Sequence, residues 1–430
     1  MGGIGQSIAA VMFSLVGGVM NSTWPLFCKP ESPRVLRIAT TDGWQWENVW
    51  LPFIIWSTVL NAIFCVSVVG PSALSAVYRE ASSRDLGLVC TFSFLWGSGT
   101  ACFSLGIQLL GAGPGTALVM SLLVVIGTLL PLIEDHSDDA GSPAAIVTIV
   151  GLLFAISGFA SSAQSSRIKA RAAEATQCKQ IAEASSNKQV ETELASFDVE
   201  ASPGSPRKAA AAAGGATKSD PGTDVSATTA EIDVSGATAV TPSQVHKGGN
   251  EGRKTSHLAA VAVCIAGAVM SSMLQFSFVY GDPLVTHAEE EEGVSGAAAP
   301  LVVWLLAFSL AAVWNIVYAV FLLSRNKTWA RYAWMGWAEL FRKSQKITVM
   351  SVLFVGHIHF YGQSQYLFGD LGPVVAWPLI MSSTVLSGQL WGVFMKEWVG
   401  VPNLALKVNV LSICLLVTAV TVIAIAGAVL

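Results

Sequence analysis

Charge is scarce in this chain. Asp, Glu, Lys and Arg make up 12% of its 430 residues, whereas 53% are hydrophobic. Lysine and arginine are absent from nine of the ten apolar runs described below, and the tenth holds only Lys407. No nucleic-acid partner is expected of such a chain. There are seven cysteines and no Cys-x-x-Cys, which argues against a disulfide framework or a zinc site. No nucleophile–base or metal constellation appears, so a membrane enzyme is the least favoured class. The glycine-rich G-A-G-P-G at 111–115 has no Gly-Lys-Ser/Thr after it, so it reads as a helix–helix turn and not as a phosphate loop. No cofactor is expected.

What the chain has instead is long apolar runs. Ten approach the length of a bilayer-spanning helix: Ile4–Met20, Trp50–Gly70, Leu86–Leu110, Gly115–Ile133, Ala144–Ala163, His257–Tyr280, Pro300–Leu323, Ile347–Phe368, Val374–Met395 and Leu404–Leu430. Backbone groups in lipid must be satisfied internally, so runs this apolar read as helices. A soluble protein with ten such runs would have little left to face water. The expected fold class is an all-α membrane protein with ten transmembrane helices. The first run lacks a basic leader and reads as a retained helix.

Basic residues collect in the loops 21–49, 164–256 and 324–346, whereas the loops 134–142 and 281–299 carry acid and no base. With both termini outside or lumenal, 22 of the 24 lysines and arginines fall on the inner side. The positive-inside rule therefore predicts that topology, with the long 164–256 loop in the cytosol. Discounting that loop leaves 11 against two. The sequence does not distinguish a plasma membrane from an organelle membrane.

Residues 165–255 are rich in Ala, Ser, Gly, Thr and Lys and poor in aromatic and large aliphatic residues. Such a segment cannot bury enough apolar surface to order itself, so it reads as a disordered linker, with a few helical turns at its start. It separates a first five-helix repeat, 1–164, from a second, 256–430. Gly97 and Gly113-Pro114 match Gly356 and Gly372-Pro373 at one offset of 259. An odd number of spans per half inserts the second copy upside down. Two inverted five-helix repeats are a recurring transporter architecture, with the solute site near the midplane.

One run is unusually polar. Residues 356–369 read G-H-I-H-F-Y-G-Q-S-Q-Y-L-F-G. On a helix His359, Gln363 and Tyr366 share a face, and His357, Tyr361 and Ser364 form an adjacent stripe. In hydrocarbon these must point inward, as solute contacts or as glue between helices. Amides offer donors and acceptors to hydroxyls, which makes Gln363, Gln365 and Asn315 sugar-binding candidates. Trp96, Trp314 and Trp377 are candidate stacking faces for a pyranose ring, and Gln275 and Ser383 candidate lining residues. Tyr361 and Tyr366 belong to the same set. His359 and His357 titrate in the useful range and are candidate proton carriers, with Asp370 in the following turn as another. Spans without lysine or arginine suit a neutral solute better than a phosphorylated one.

Several short motifs are similar to those of the L-rhamnose–proton symporter family, within the drug/metabolite transporter superfamily. They are W-Q-W-E-N-V-W (Trp44–Trp50), W-G-S-G (Trp96–Gly99) with Leu110-Gly111, G-T-L (Gly127–Leu129) and G-V-F-M-K-E-W (Gly392–Trp398). Asn315, Tyr361 and Gln363 fall at matching positions. The family is more polar along the third span, near Thr100, Cys102 and Gln108. The resemblance implies a ten-helix fold and cation-coupled uptake of a neutral monosaccharide. The expected function is thus a secondary transporter for a rhamnose-like sugar or polyol, coupled to a proton or other cation. The alternatives are an uncoupled facilitator, a nucleotide-sugar or sugar-phosphate carrier, and a membrane scaffold that acts through the linker.

Overall fold

The computed structural model describes residues 4–28, 44–110, 112–134, 141–200, 257–333, 336–369 and 372–429, and every regular element among them is helical. The helices are α1 (Ile4–Thr23), α2 (Trp46–Val69), α3 (Pro71–Glu80), α4 (Ser83–Leu110), α5 (Ala112–Glu134), α6 (Pro143–Glu200), α7 (His257–Val279), α8 (Asp282–Glu290), α9 (Leu301–Arg325), α10 (Ala330–Ala333), α11 (Trp337–Phe368), α12 (Gly372–Phe394) and α13 (Asn403–Val429). A 3₁₀ turn, Trp24–Cys28, continues α1.

Among the described residues, seven stretches are long and apolar enough to cross a membrane: Gly5–Phe27, Trp46–Val69, Pro143–Gln180, Ala259–Glu290, Leu301–Arg325, Val374–Phe394 and Asn403–Gly427. The expected runs Leu86–Leu110, Gly115–Ile133 and Ile347–Phe368 lie in α4, α5 and α11, which are not among the seven. In α11 the cause is the polar stretch itself, which dilutes the hydropathy of an otherwise apolar helix. That helix also starts ten residues before the apolar run, in a charged segment of good helix formers.

Two compact units can be separated, Met1–Ile168 with Val234–Leu430, and Lys169–Asp233. In the second, α6 remains helical to Glu200, well past the linker start expected at 165. The Ala-, Gln- and Glu-rich sequence favours that extension. The rest of the linker lies outside the described residues.

Within the first unit α4 lies against both α7 and α9, and two glycines explain how. A Cβ on Gly97 would come within 2.5 Å of Ala311 Cα, and one on Gly99 within 2.7 Å of the Ser271 backbone nitrogen. Residues two apart on a helix point about 200° apart, so W-G-S-G lets α4 meet one backbone on each side. In the other half α11 and α12 pack against α1, α2 packs against α9 and α11, and α5 against α7 and α12. Ser165 donates to Ala405 O (2.7 Å) and Ser412 to Gly158 O (2.8 Å), which ties α6 to α13.

The outward surface is apolar. On α9, Val313, Trp314, Val317, Val320 and Phe321 form an exposed stripe, and α2 carries Ile55, Trp56, Val59, Ile63 and Phe64 in the same way. Water would penalise that much bare apolar area, whereas hydrocarbon accepts it.

Candidate functional site

The polar segment of α11 does not present its side chains equally. Tyr361 is 2% exposed and lies at the centre of a chain of side chains. Its hydroxyl donates to Gln275 Oε1 of α7 at 3.1 Å and accepts from Gln365 Nε2 at 2.8 Å. Edge-on to its ring stand Trp377 of α12 (5.4 Å between centroids) and Trp304 of α9 (6.3 Å). Four helices of the second half therefore meet at one tyrosine.

Each wall residue is fixed from behind. Trp377 Nε1 donates to Leu123 O of α5 at 3.3 Å, and its indole fits there because residue 127 is glycine: a Cβ would come within 2.8 Å of Trp377 Cδ1. Trp304 has its carbonyl bonded by Asn61 Nδ2 of α2 at 3.3 Å. Gly362 lets Trp304 approach α11, since a Cβ there would be 3.2 Å from Trp304 Nε1.

Two donors at this tyrosine are unspent. Gln275 Nε2 and Trp304 Nε1 are buried with no hydrogen-bond partner, and one turn along α11 His357 Nδ1 is buried likewise. A buried donor left unpaired costs about 1–3 kcal/mol. No carboxylate, ammonium or guanidinium group among the described residues is buried here; the buried ones, Glu47 and Lys343, belong to another cluster.

The other candidate residues lie elsewhere. His359 packs ring against ring on Phe64 at 4.2 Å, and neither ring nitrogen has a partner. Gln363 donates to Ala297 O at 2.5 Å, in the loop before α9. Tyr366 is exposed beside Gly296. The stripe of His359, Gln363 and Tyr366 thus meets α2 and the 291–300 loop; of the other stripe His357 and Tyr361 take the central position, joined by Gln365, whereas Ser364 donates to Ala10 O at 2.8 Å and pairs with Ser14 of α1. The choice between the two stripes is set by burial across neighbouring helices, which one helix's periodicity does not contain.

Asn315 is spent locally. Its Nδ2 donates to Ala311 O at 3.0 Å and its Oδ1 accepts from Trp50 Nε1 at 3.3 Å. Trp314 sits in the exposed α9 stripe against Phe94, the wrong side for stacking on a central solute. Ser383 donates to its own helix at Leu379 O (2.7 Å) and lies where Gly18 of α1 touches α12, so it packs two helices together. Trp96 stands edge-on to Phe308 at 5.9 Å, a neighbour of Trp304. Asp370 lies outside the described residues. Sequence reasoning missed Trp304 and Asn61. Trp304 follows Pro300 by one turn and reads as a span boundary, so only its contacts single it out.

The chain is 25% identical over 135 residues to an L-rhamnose-proton symporter of Cronobacter sakazakii. It is 27% identical over 133 residues to L-rhamnose-proton symporters of Yersinia pestis bv. Antiqua and Yersinia pseudotuberculosis. These matches take in 30% of this chain and span only 37–38% of the relatives' length. No family model and no solved structure matches the chain. Its apolar helices and these transporter relatives make it an integral, multi-pass membrane protein.

Proposed function

We propose that the chain is a secondary carrier for a neutral sugar or polyol, with Tyr361, Gln275, Gln365, Trp304 and Trp377 as the solute contacts. The observation that carries this is the pair of unspent buried donors, Gln275 Nε2 and Trp304 Nε1, flanking Tyr361 between two indoles. Hydroxyl oxygens satisfy those donors, and indoles accept the apolar side of a pyranose. A phosphate would require a cation that this cluster lacks. The symporter relatives support the same solute class.

Helix packing supports ten crossings in two inverted halves. Exchange α1, α2, α4, α5 and α6 with α7, α9, α11, α12 and α13 in order. The α1–α11 contact becomes α7–α4, α1–α12 becomes α7–α5, α4–α9 becomes α11–α2 and α4–α5 becomes α11–α12. The α2–α9, α5–α12 and α6–α13 contacts map onto themselves. A two-fold pattern of this kind is what inverted repeats generate. With ten crossings, the charge distribution puts the termini outside or lumenal and α10 in the cytosol.

Coupling to a proton is assigned to His357 ahead of His359. Both histidines have an unpartnered ring nitrogen, but His357 is one turn from Tyr361 on the same stripe, whereas His359 turns to Phe64. The experiment is flux of L-rhamnose and a panel of monosaccharides into proteoliposomes, with and without a proton gradient. Saturable uptake of a monosaccharide, lost in Tyr361→Phe, is expected. Uptake unaffected by Tyr361→Phe refutes the site.

A further inference from the structure

A second buried polar cluster has no part in solute contact. Among the described residues the acidic, ammonium and guanidinium side chains are buried only at Glu47 and Lys343, each 4% exposed. Both belong to the Trp44–Trp50 motif and its surroundings. Glu47 Oε1 accepts from Asn326 Nδ2 at 2.9 Å and from Thr328 Oγ1 at 3.0 Å. Asn48 Nδ2 donates to Thr328 O at 3.0 Å, and Tyr332 donates back to Asn48 O at 3.0 Å. Trp44 Nε1 reaches Arg331 O at 3.4 Å, and Lys343 Nζ stands 4.3 Å from the Trp44 ring centroid and 3.2 Å from Glu339. Apart from Lys343–Glu339, which lies within α11, these contacts join residues 44–48 at the start of α2, in the first half of the chain, to the α9–α10–α11 region in the second.

This clasp closes one end of a seam. On α2 the residues Glu47, Trp50, Ile54, Ser57, Asn61 and Cys65 recur at three or four and are all buried, so they form one stripe. The stripe runs from the clasp to Asn61, whose amide holds Trp304 of the solute site. At 1.5 Å per residue the two ends are about 20 Å apart. Ser57 lies between them, buried, with no hydrogen-bond partner for its hydroxyl. At the opposite end Tyr78 donates to Val302 O (2.7 Å) and Gln363 to Ala297 O.

We infer that Trp44–Trp50 and the 326–332 segment form the gate of the carrier on the α10 face, and that release of Thr328 by Glu47 and Asn48 opens the seam toward Trp304. This rests on the carrier reading. A permanent joint between two helices is better made from apolar packing, because burying a carboxylate is costly. Hydrogen bonds to a carboxylate and an amide exchange for bonds to water, so they are the part of the seal that water can replace, and the aromatic cluster of Trp44, Trp50 and Phe53 beside them parts with them. Burial pushes the Tyr332 hydroxyl up to about 12, which keeps it a donor to Asn48 throughout the physiological range.

The test uses the full chain carrying Ser57→Cys in proteoliposomes, with a membrane-impermeant thiol reagent added from either side. Modification at residue 57 is read by tandem mass spectrometry. The α10 face is identified by amine labelling of the exposed Lys327. Adding Glu47→Ala is expected to raise labelling from the α10 face at least tenfold and leave the other face unchanged. Glu47→Gln, which keeps an acceptor oxygen for Asn326 and Thr328, gives a smaller rise. If Glu47→Ala does not fold, Thr328→Val with Tyr332→Phe removes two other bonds of the clasp, Thr328 to Glu47 and Tyr332 to Asn48 O, and the same rise is expected. Labelling that does not rise, or rises equally from both faces, overturns the gate. The thermal shift with L-rhamnose is measured on the same samples. A shift that persists beside unchanged labelling removes the gate and leaves the carrier. One-sided labelling with neither shift nor monosaccharide flux removes the sugar carrier and leaves a gated seam.

Discussion

Tyr361→Phe tests the site most directly, because it deletes one oxygen and leaves the ring and its two indole contacts. That oxygen serves two partners, Gln275 Oε1 at 3.1 Å and Gln365 Nε2 at 2.8 Å. Without it Gln275, 1% exposed and with its Nε2 already unpaired, has no side-chain partner shown at either end of its amide. Interhelical hydrogen bonds in membranes average about 0.6 kcal/mol, and stranding a buried polar group costs about 1–3 kcal/mol. The variant should therefore lose about 1–2 kcal/mol of stability, measured by denaturant titration in detergent. Solute affinity should fall at least tenfold, since about 1.4 kcal/mol corresponds to that factor and the Gln275 amide is no longer oriented. Gln275→Leu supplies the second arm of a double-mutant cycle. In the double variant no amide is stranded at position 275, so its stability loss should be less than the sum of the singles. Additive losses together with unchanged solute affinity refute the assignment of Tyr361 and Gln275 to one solute-binding unit.

Three further outcomes are expected. His357→Gln should abolish sugar accumulation driven by a proton gradient while counterflow exchange persists, and His359→Gln should retain accumulation; the reverse result, in the same vesicles, moves the proton to the Phe64 side of α11. Gly97→Ala should destabilise the protein by about 1–3 kcal/mol by overpacking against the Ala311 backbone, whereas Gly87→Ala on the same helix, with open space around it, should be neutral or stabilising by up to about 1 kcal/mol, both read from denaturant midpoints. Deletion of residues 201–250 should leave monosaccharide flux intact; loss of flux with the fold retained would favour the scaffold alternative.

The helices were legible because bilayer length and apolarity are properties of contiguous residues. The polar segment at 356–369 was legible for the same reason, since hydrocarbon makes any cluster of amides and hydroxyls conspicuous. Which side of that segment faces inward was not. Tyr361 and Gln365 are separated from His359 and Gln363 by two residues each, and only the positions of α7, α9 and α12 decide between them. Asn315 illustrates the same limit: a lone amide in a span suits a solute, yet Trp50 and Ala311 already use it. The short helices α3 and α8 were invisible for a different reason. α3 opens Gly70-Pro71 and α8 Gly281-Asp282-Pro283, and each has one apolar side, so each reads as loop until something covers it.

On the proposed inverted-repeat reading, the offset of 259 between the halves has a further consequence for the carrier. Residues 357, 361 and 365 of α11 correspond to Ser98, Cys102 and Gly106 of α4. The first half thus sets small side chains where the second sets His, Tyr and Gln. On α4 the neighbouring Gly97 and Gly99 touch foreign backbone, and Ser98 donates to Leu95 O of its own helix at 2.6 Å. One member of the helix pair is therefore built for close approach and its partner for hydrogen bonding. In an inverted pair the two helices exchange surroundings when access alternates. If only one carries the solute's partners, the solute stays with the α11 half while α4 slides past it. The backbone contacts of α4 at Gly97 and Gly99 suit that role, and the ring pairs Phe92–Phe276, Phe94–Trp314 and Trp96–Phe308 along the same seams have to part as α4 moves.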